Sequence, residues 1–315
     1  MKRIAVFGAG AAGGYFGAVL ARAGFWVAFI ARGKHLEVMQ SIGLKIESPS
    51  GAFSVKPALA TSEPAEVGTV DAVIVAVKAW QVPEIAPALV PLLGPNTRVL
   101  PLQNGVGATQ QLQTAIGSKY PLVGLCRIVS ILEAPGCIRD AGVEPTIALG
   151  EPSGAPLSGN GRALAEALRQ AGVTVNTPPD INAALWEKLL FIAAVSGVGA
   201  VSRSSIGDVR QSSPARHLLC QLMEEAAAVA KARGVHLADG VIERTLSFVD
   251  TIPSGGTASM QRDIAEGRPS ELEAIIGSVV RFGDEVGVPT PAMDFVYACL
   301  LPQELRARAA RGGPA

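Results

Sequence analysis

The chain has 315 residues, a length that predicts two domains, and its 27 basic and 27 acidic residues balance. This balance argues against a nucleic acid or an anionic membrane as a partner. Hydrophobic residues make up 49% of the chain, but the longest uncharged apolar run, residues 189–201, is too short to span a bilayer. The four cysteines lack CxxC spacing and the three histidines lie in separate segments. We therefore predict a cytoplasmic protein with four buried thiols and no metal site.

The first element is an apolar run over residues 4–7 that leads into the motif Gly8-x-Gly10-x-x-Gly13 and then an Ala-rich helical pattern. Strand, glycine turn and helix in this order predict a dinucleotide-binding unit. Gly8 permits the tight turn, Gly10 lets the backbone approach a pyrophosphate, and Gly13 brings helix and strand together. The alternatives are a signal peptide and a glycine turn that binds no ligand. The dinucleotide interpretation predicts cofactor contacts from Gly8, Ala9, Gly10, Ala11, Ala12 and Gly13.

The second predicted strand, Trp26–Ile30, is followed by Arg32 and Lys34. A site that prefers NAD usually has an acidic residue here, which binds the ribose 2′-hydroxyl. A carboxylate would repel a 2′-phosphate, whereas a guanidinium can bind it with two hydrogen bonds. Arg32 therefore predicts NADP(H) as the cofactor, the alternative being a solvated surface arginine.

Polar side chains follow two further predicted strands. Lys78 comes directly after a continuous apolar run at 71–77, and Asn104 follows the strand at 98–102. Ligands of such sheets bind at the carboxyl ends of the strands. Lys78 can face a bound cofactor there or be a surface lysine. Asn104 can bind a nicotinamide carboxamide or a substrate oxygen, or can simply form the Asn-Gly turn.

The rest of the first half alternates between strand and helix patterns. A Ser-Pro-Ser-Gly turn predicts a hairpin between residues 44–46 and 53–57. The region 122–149 is β-rich, and a strand is predicted at 173–175. Helices are predicted near 35–41, 83–93 and 162–171.

A change of pattern at Thr177-Pro178-Pro179-Asp180 predicts a linker and a helix N-cap. We therefore predict an α/β protein, with an N-terminal Rossmann-type dinucleotide-binding domain over residues 1–178. A C-terminal all-helical domain over residues 179–315 follows, with a cleft between the two domains. The apolar composition leads us to expect a homodimer that forms through the helical domain. Helices are predicted at 181–201, 214–232, 238–250, 257–266, 270–286 and 290–302.

The helical half contains two groups of residues that could carry chemistry. Lys188 lies on an otherwise apolar helix, so its side chain either extends outward to solvent or is held in a cleft where it can transfer a proton. In the second group, Ser259 begins a helical turn and Glu271 begins the next helix after a break at Gly267. A pair of capped helices joined by a glycine turn would show the same pattern.

These motifs together resemble the ketopantoate reductase (2-dehydropantoate 2-reductase) family. The similarity runs from Lys2 to about residue 300. It rests on six motifs in the family's order, namely GAGAAG at 8–13, Arg32, Lys78-Ala-Trp-Gln81, Gln103-Asn-Gly105, Trp186-x-Lys188-Leu189, and Ser259-Met-x-x-Asp263-x-x-x-Gly267-Arg268-x-x-Glu271.

The resemblance implies hydride transfer from NADPH to C2 of ketopantoate, which gives pantoate on the route to coenzyme A. It implies that Lys188 donates a proton to the carbonyl oxygen and that Asn104 contacts both cofactor and substrate. Ser259 would bind the substrate, and Glu271 would help to organise the substrate and the nicotinamide ribose as a second catalytic residue. NADPH contacts are implied for Arg32, Lys78, Asn104 and Glu271.

The chain departs from the family pattern four and eight residues after Lys188, where Ile192 and Ser196 replace two asparagines. Both positions are expected to line the substrate site, because a helix presents residues i, i+4 and i+8 on one face. Ile192 cannot hydrogen-bond a substrate hydroxyl. The alternatives are therefore a related reductase of a more apolar 2-oxo acid and, in a different class, an NADP(H)-sensing protein without catalysis.

Overall fold

The computed structural model describes residues 1–157 and 159–310, which divide into two compact units. Among these residues, unit 1 comprises Met1–Gln103 and Ala108–Ile181, and unit 2 comprises Asn104–Gly107 and the residues from Asn182 onward. The sequence predicts a change of domain after residue 178. The change of unit falls after residue 181, and the short segment at 104–107 belongs to unit 2.

A parallel sheet forms the centre of unit 1. Its strands are mostly continuous apolar runs, as expected for a parallel sheet that is buried on both faces. The first strand lies between the second and the sixth, at the point where chain order reverses and such sheets bind their ligands. The strands among the described residues are β1 (Arg3–Phe7), β2 (Trp26–Ile30), β3 (Leu44–Ser48), β4 (Gly51–Val55), β5 (Leu59–Thr61), β6 (Val70–Val75), β7 (Leu93–Pro101), β8 (Val123–Arg127), β9 (Ser130–Ala134), β10 (Cys137–Asp140), β11 (Thr146–Gly150) and β12 (Thr174–Asn176).

The parallel sheet has the strand order β5-β2-β1-β6-β7, and two smaller sheets among the described residues have the orders β4-β3-β10-β9 and β12-β11-β8. The predicted hairpin is confirmed, because β3 pairs with β4 in an antiparallel register that joins Leu44 to Val55. The Rossmann-type α/β class is confirmed as well. The helices of this unit are α1 (Ala11–Arg22), α2 (Gly33–Ser41), α3 (Pro64–Val67), α4 (Val82–Ile85), α5 (Ala108–Ile116) and α6 (Gly159–Gln170).

The helix predicted near residues 83–93 is present, but most of it is a 3₁₀-helix. The α-helix α4 covers four residues, and a 3₁₀-helix follows at Ala86–Leu92. Pro87 and Pro91 both lack the N–H that an α-helix would bond to the carbonyl four residues earlier. Because the two prolines are four residues apart, each of two successive α-helical turns would lack one hydrogen bond. The segment forms the tighter 3₁₀-helix instead.

Unit 2 is helical throughout its described residues, apart from loops and turns, which confirms the predicted all-helical half. A π-helical turn, Glu273–Gly277, precedes the last helix but one, where the sequence predicted a regular helix over 270–286. The short helix after Ser205 was not predicted. The α-helices are α7 (Ile181–Ser202), α8 (Ile206–Gln211), α9 (Ser213–Ala232), α10 (Val241–Thr251), α11 (Ser259–Ala265), α12 (Ser278–Val286) and α13 (Pro291–Ala309).

Helix α7 is apolar around most of its circumference. It is longer than the uncharged apolar run at 189–201, which it contains. Its 22 residues include an 18-residue window with a mean hydropathy of 1.6, so by length and composition it could cross a membrane. Within the protein 72% of that window is buried. A helix that is hydrophobic on all sides is also what the core of a helical domain requires.

Candidate functional site

The glycine motif forms a tight turn between β1 and α1. Gly8 has a φ of +93°, and a Cβ on it would lie 2.8 Å from the backbone nitrogen of Val77. A Cβ on Gly13 would collide with the Gly8 carbonyl oxygen and lie 2.8 Å from the Ala76 side chain. A side chain at either glycine would therefore push α1 away from the ends of β1 and β6.

The backbone at Gly10 is open on the side where a side chain would project. A Cβ at Gly10 would meet no atom within 4 Å. Gly10 caps α1 without a side-chain hydrogen bond, and its own N–H has no hydrogen-bond partner among the described residues. Uncapped N–H groups at a helix start attract anions, so this turn fits the pyrophosphate of a dinucleotide.

Arg32 is the N-cap residue of α2 and has an extended backbone, with φ of −146° and ψ of 164°. Its side chain is exposed and makes no hydrogen bond or ion pair with the described residues. Lys34 differs, because its Nζ lies 2.9 Å from a carboxylate oxygen of Glu37. Of the two basic side chains after β2, Arg32 is thus the one whose charge is not already paired.

Lys78 and Gln103 lie at the carboxyl ends of β6 and β7. Lys78 is half-buried, and its backbone N–H donates to Gln81 Oε1 over 3.2 Å. Gln103 is 4% exposed, and its Nε2 donates to the carbonyl oxygens of Val75 at 2.9 Å and Val77 at 3.0 Å. Gln103 therefore ties the end of β6 to β7, a role that the motif at 103–105 did not reveal.

Asn104 and Glu271 are far apart in the sequence, but their side chains are in direct contact. Asn104 Nδ2 donates to Glu271 Oε2 over 2.9 Å, and Glu271 is 5% exposed. Gly105, with a φ of +90°, packs against the backbone of Ala274 so closely that a Cβ would collide with it. The structure thus brings together two of the predicted site residues and shows why the residue after Asn104 is glycine.

Lys188, Ile192 and Ser196 follow one another at four-residue spacing along α7. Lys188 is 7% exposed, so its side chain does not extend into solvent. Its position in a cleft and its transfer of a proton stay predictions. Ile192 is half-buried and packs against the apolar core of unit 2, and Ser196 is 2% exposed. A lysine this deeply buried is unusual in proteins unless it is paired or functional.

The motif from Ser259 to Glu271 is held by its own internal contacts. Ser259 is exposed and is the first residue of α11, with Ala258 as the N-cap. Arg268 donates through Nε and a terminal nitrogen to Asp263 Oδ1, over 3.0 and 2.8 Å. Gly267, with a φ of +66°, makes the turn between them. The path of the chain from Ser259 to Glu271 is therefore set by the turn at Gly267 and the contact between Arg268 and Asp263.

Glu304 is a buried carboxylate that the sequence interpretation missed. It is 3% exposed, and its Oε2 accepts hydrogen bonds from the backbone N–H of Ser270 at 2.9 Å and from the Ser270 hydroxyl at 2.6 Å. Arg308 Nε donates to its other oxygen over 2.7 Å. The predicted helix ended at Pro302, whereas α13 continues to Ala309 and so brings Glu304 beneath the residue before Glu271.

Replacing Glu304 by alanine is expected to lower the free energy of unfolding by about 2–4 kcal/mol, because a buried N–H and hydroxyl lose a charged acceptor. Urea unfolding of both proteins measures the change. Glu304→Gln is the matched control: its amide oxygen can still accept from Ser270, while its NH2 group replaces the acceptor of Arg308, so it should lose less stability than Glu304→Ala. Equal stability of Glu304→Ala and the parent protein would contradict the role assigned to this carboxylate.

One group of potential metal ligands lies outside these residues. A carboxylate oxygen of Glu47, one of Glu133 and the Cys137 sulfur lie within 4.8 Å of one another. Lys45 pairs with Glu47 at 2.5 Å and Arg139 with Glu133 at 3.3 Å, so cations of the chain already face both carboxylates. The absence of a metal site stays a prediction. Of the four cysteines only Cys126 is buried, whereas Cys137 and Cys220 are half-buried and Cys299 is exposed, so the prediction of buried thiols is wrong for three of them.

Comparison with known proteins gives a consistent result along the chain. The family described as "Ketopantoate reductase PanE/ApbA" matches residues 4–154, and the one described as "Ketopantoate reductase PanE/ApbA C terminal" matches residues 180–304. A protein of Mesorhizobium japonicum named 2-dehydropantoate 2-reductase is 32% identical over an alignment of 317 positions, gaps included. The alignment covers 94% of this chain and 96% of that protein.

Solved structures share the fold. The crystal structure of 2-dehydropantoate 2-reductase from Geobacter metallireducens matches with a TM-score of 0.89 at 32% identity, covering 95% of this chain and 99% of that one. The ternary structure of D-mandelate dehydrogenase with NADH and anilino(oxo)acetate matches with a TM-score of 0.87 at 24% identity, over 98% and 99% of the two chains. At this lower identity the second likeness shows the fold alone.

Proposed function

The chain belongs to the ketopantoate reductase family, and from this premise we propose that it reduces 2-dehydropantoate to pantoate with NADPH. Family membership makes it an oxidoreductase that acts on a CH–OH group with a nicotinamide dinucleotide. The choice of NADPH, the substrate and the roles of individual residues are the content of the proposal. The observation that carries it is the direct bond between Asn104 and Glu271, in the same unit as a buried Lys188.

The cofactor site is proposed to consist of the glycine turn at 8–13, Arg32 and Lys78. The open backbone at Gly10 and its unpartnered N–H support pyrophosphate binding. The exposed, unpaired guanidinium of Arg32 supports binding of a 2′-phosphate, which carries two negative charges that a carboxylate would repel. When bound, NADPH supplies the hydride that reduces the substrate carbonyl.

Lys188 is proposed to be the proton donor. Reduction of a ketone places negative charge on the carbonyl oxygen, and a nearby ammonium both stabilises that charge and donates the proton that completes the hydroxyl group. The burial of Lys188 supports the role, since charge stabilisation is stronger where water is excluded.

Asn104 and Glu271 are proposed to act as a pair. With its Nδ2 donating to Glu271, the Asn104 amide has a fixed orientation and retains an oxygen acceptor and a second N–H for a ligand. The Glu271 carboxylate is an acceptor for a hydroxyl group of the substrate or of the nicotinamide ribose. Ser259 and Ser196 are proposed as further substrate contacts.

Ile192 is proposed to weaken the fit of ketopantoate, because it replaces a hydrogen-bonding side chain one helical turn from Lys188. A buried hydroxyl without a partner costs about 1–3 kcal/mol. Ile192→Asn should therefore lower the KM for ketopantoate and weaken the use of 2-oxoisovalerate, whose side chain is purely aliphatic. The measurement is the ratio of kcat/KM for the two substrates. An unchanged ratio would mean that Ile192 does not contact the substrate, and would remove the reason for proposing a more apolar 2-oxo acid.

A second candidate function is that of an NADP(H)-sensing protein. It shares the cofactor site but has no use for a buried lysine or for the Asn104–Glu271 pair, so these residues favour the enzyme. Initial rates of NADPH oxidation with ketopantoate and a panel of other 2-oxo acids test the choice. Turnover of ketopantoate supports the proposal, turnover of a more apolar acid alone supports the related reductase, and NADPH binding without turnover supports the sensor.

The proposal extends to the setting of the enzyme. We place it in the cytoplasm as a homodimer formed through the helical domain, with a small-molecule 2-oxo acid as its partner and neither a membrane nor a nucleic acid. Its product would enter the synthesis of pantothenate and coenzyme A. Sedimentation equilibrium of the purified protein measures the oligomeric state, and a monomer at micromolar concentration would contradict the dimer.

A further inference from the structure

His35, in the first turn of α2, connects the glycine turn to a distant hairpin. Its Nε2 lies 2.8 Å from the carbonyl oxygen of Ala9, inside the glycine motif. Its Nδ1 accepts a hydrogen bond of 2.9 Å from the backbone N–H of Gly136, in the turn between β9 and β10. A single imidazole ring is thus bonded through both nitrogens, to two segments that are far apart in the sequence.

These two contacts determine the protonation state of the ring. Gly136 offers an N–H, so Nδ1 must be the unprotonated nitrogen, and the hydrogen of the neutral ring is then on Nε2, from where it donates to Ala9. Burial lowers the pKa of His35, an effect that the hydrogen bond to Ala9 partly opposes. The neutral ring with its hydrogen on Nε2 satisfies both bonds at once.

The bond to Ala9 also sets the direction of the next N–H group. In a planar trans peptide the carbonyl of one residue and the N–H of the next point in opposite directions. Because His35 holds the Ala9 carbonyl on one side, the Gly10 N–H is directed to the other. That N–H has no hydrogen-bond partner among the described residues, and the space beside Gly10 is open.

We propose that His35 is a positioning residue for dinucleotide binding, which holds the Ala9–Gly10 peptide so that its N–H can bond a cofactor phosphate. The inference rests on the proposed binding of the cofactor at the glycine turn and adds a residue that none of the six motifs contains. His35 itself does not touch the cofactor. Without its hydrogen bond, the buried Ala9 carbonyl would lack a partner and the peptide would lose its fixed orientation.

Two substitutions separate the bond to Ala9 from the bond to Gly136. Gln carries its amide nitrogen about as far from the backbone as Nε2, so His35→Gln can keep the donor to Ala9. Asn carries its amide oxygen about as far as Nδ1, so His35→Asn can keep the acceptor for Gly136 but loses the donor to Ala9. The two variants therefore each retain one hydrogen bond, and only one of them retains the bond to the glycine turn.

Dissociation constants for NADPH and NADH, measured by fluorescence titration, test the inference. His35→Asn should weaken both dinucleotides about tenfold, and His35→Gln should stay within about threefold of the parent protein. Both dinucleotides should be affected equally, because they share the pyrophosphate and differ only at the 2′ position. The kcat of His35→Asn at saturating NADPH should be unchanged, since the phosphate contact is equally strong before and during hydride transfer.

Thermal unfolding of the two variants shows whether a loss of affinity for the dinucleotides comes merely from a less stable protein. Equal losses of affinity in His35→Asn and His35→Gln, or a loss of stability without a loss of affinity, would overturn the inference, as would parent-like affinity in both. A parent protein that binds neither dinucleotide would instead contradict the proposed function itself, so the two failures are distinguishable.

Discussion

Replacing Lys188 by alanine is expected to lower kcat by about 10²–10⁴-fold, the range observed for the loss of a general acid. The substitution removes both the proton donor and the positive charge that stabilises the developing oxyanion. NADPH should still bind with an affinity close to that of the parent, because its proposed contacts lie on other residues. Initial rates at saturating NADPH and substrate, with a separate NADPH titration, measure the two quantities.

Lys231 provides a matched control for this substitution. It lies on α9 of the same unit, is exposed, and has no proposed function. Lys231→Ala should therefore keep the parent rate. A Lys188→Ala enzyme within a few-fold of the parent rate would exclude Lys188 as the proton donor, whatever the behaviour of the control.

Replacing Arg32 by alanine is expected to reduce the preference for NADPH over NADH by about 10- to 150-fold, which corresponds to the loss of charge-assisted hydrogen bonds worth about 1.5–3 kcal/mol. The change should appear mainly in the KM for NADPH, because a contact to the 2′-phosphate is as strong before hydride transfer as during it. The ratio of kcat/KM for the two cofactors is the quantity to measure.

Lys34 is the control for Arg32. Its ammonium is already paired with Glu37 on an exposed helix face, so Lys34→Ala should change the cofactor ratio much less than Arg32→Ala. Equal kcat/KM of the parent protein for NADH and NADPH would already show that Arg32 does not select NADPH.

Much of unit 1 could be predicted from local sequence. The bounds of β2 at Trp26–Ile30 and the hairpin of β3 and β4 follow from apolar runs and turn residues, which act over a few neighbouring positions. The steric reasons for Gly8 and Gly13 are confirmed by the collisions that a Cβ would make. Whether these glycines bind a cofactor stays a prediction.

The errors lie where local pattern and tertiary structure disagree. The last predicted helix ended at residue 302, yet α13 continues for seven residues beyond Pro302. The buried bonds of Glu304 to Ser270 and the packing of Ala307 accompany this extension and offset the hydrogen bond that the proline removes. Such compensation comes from residues that are distant in sequence, so no window around Pro302 contains it.

In the candidate site, too, local sequence identifies individual residues but not the contacts between residues that are distant in sequence. Asn104 and Glu271 could each be identified from a motif, but their bond joins positions that no spacing rule relates. His35 and Glu304 could not be identified at all, because a lone histidine and a carboxylate past a proline carry no pattern. Their importance comes from the backbone groups that they bind, which appear only when the chain is folded.

The most direct test of the central claim is the transfer of label from NADPH that carries deuterium in place of the transferable hydrogen at C4 of the nicotinamide. Incubation with ketopantoate should give pantoate with one deuterium at C2 for each NADPH consumed, as mass spectrometry of the product would show. Unchanged ketopantoate beside intact, bound NADPH would contradict the assignment of a reductase that acts on this 2-oxo acid.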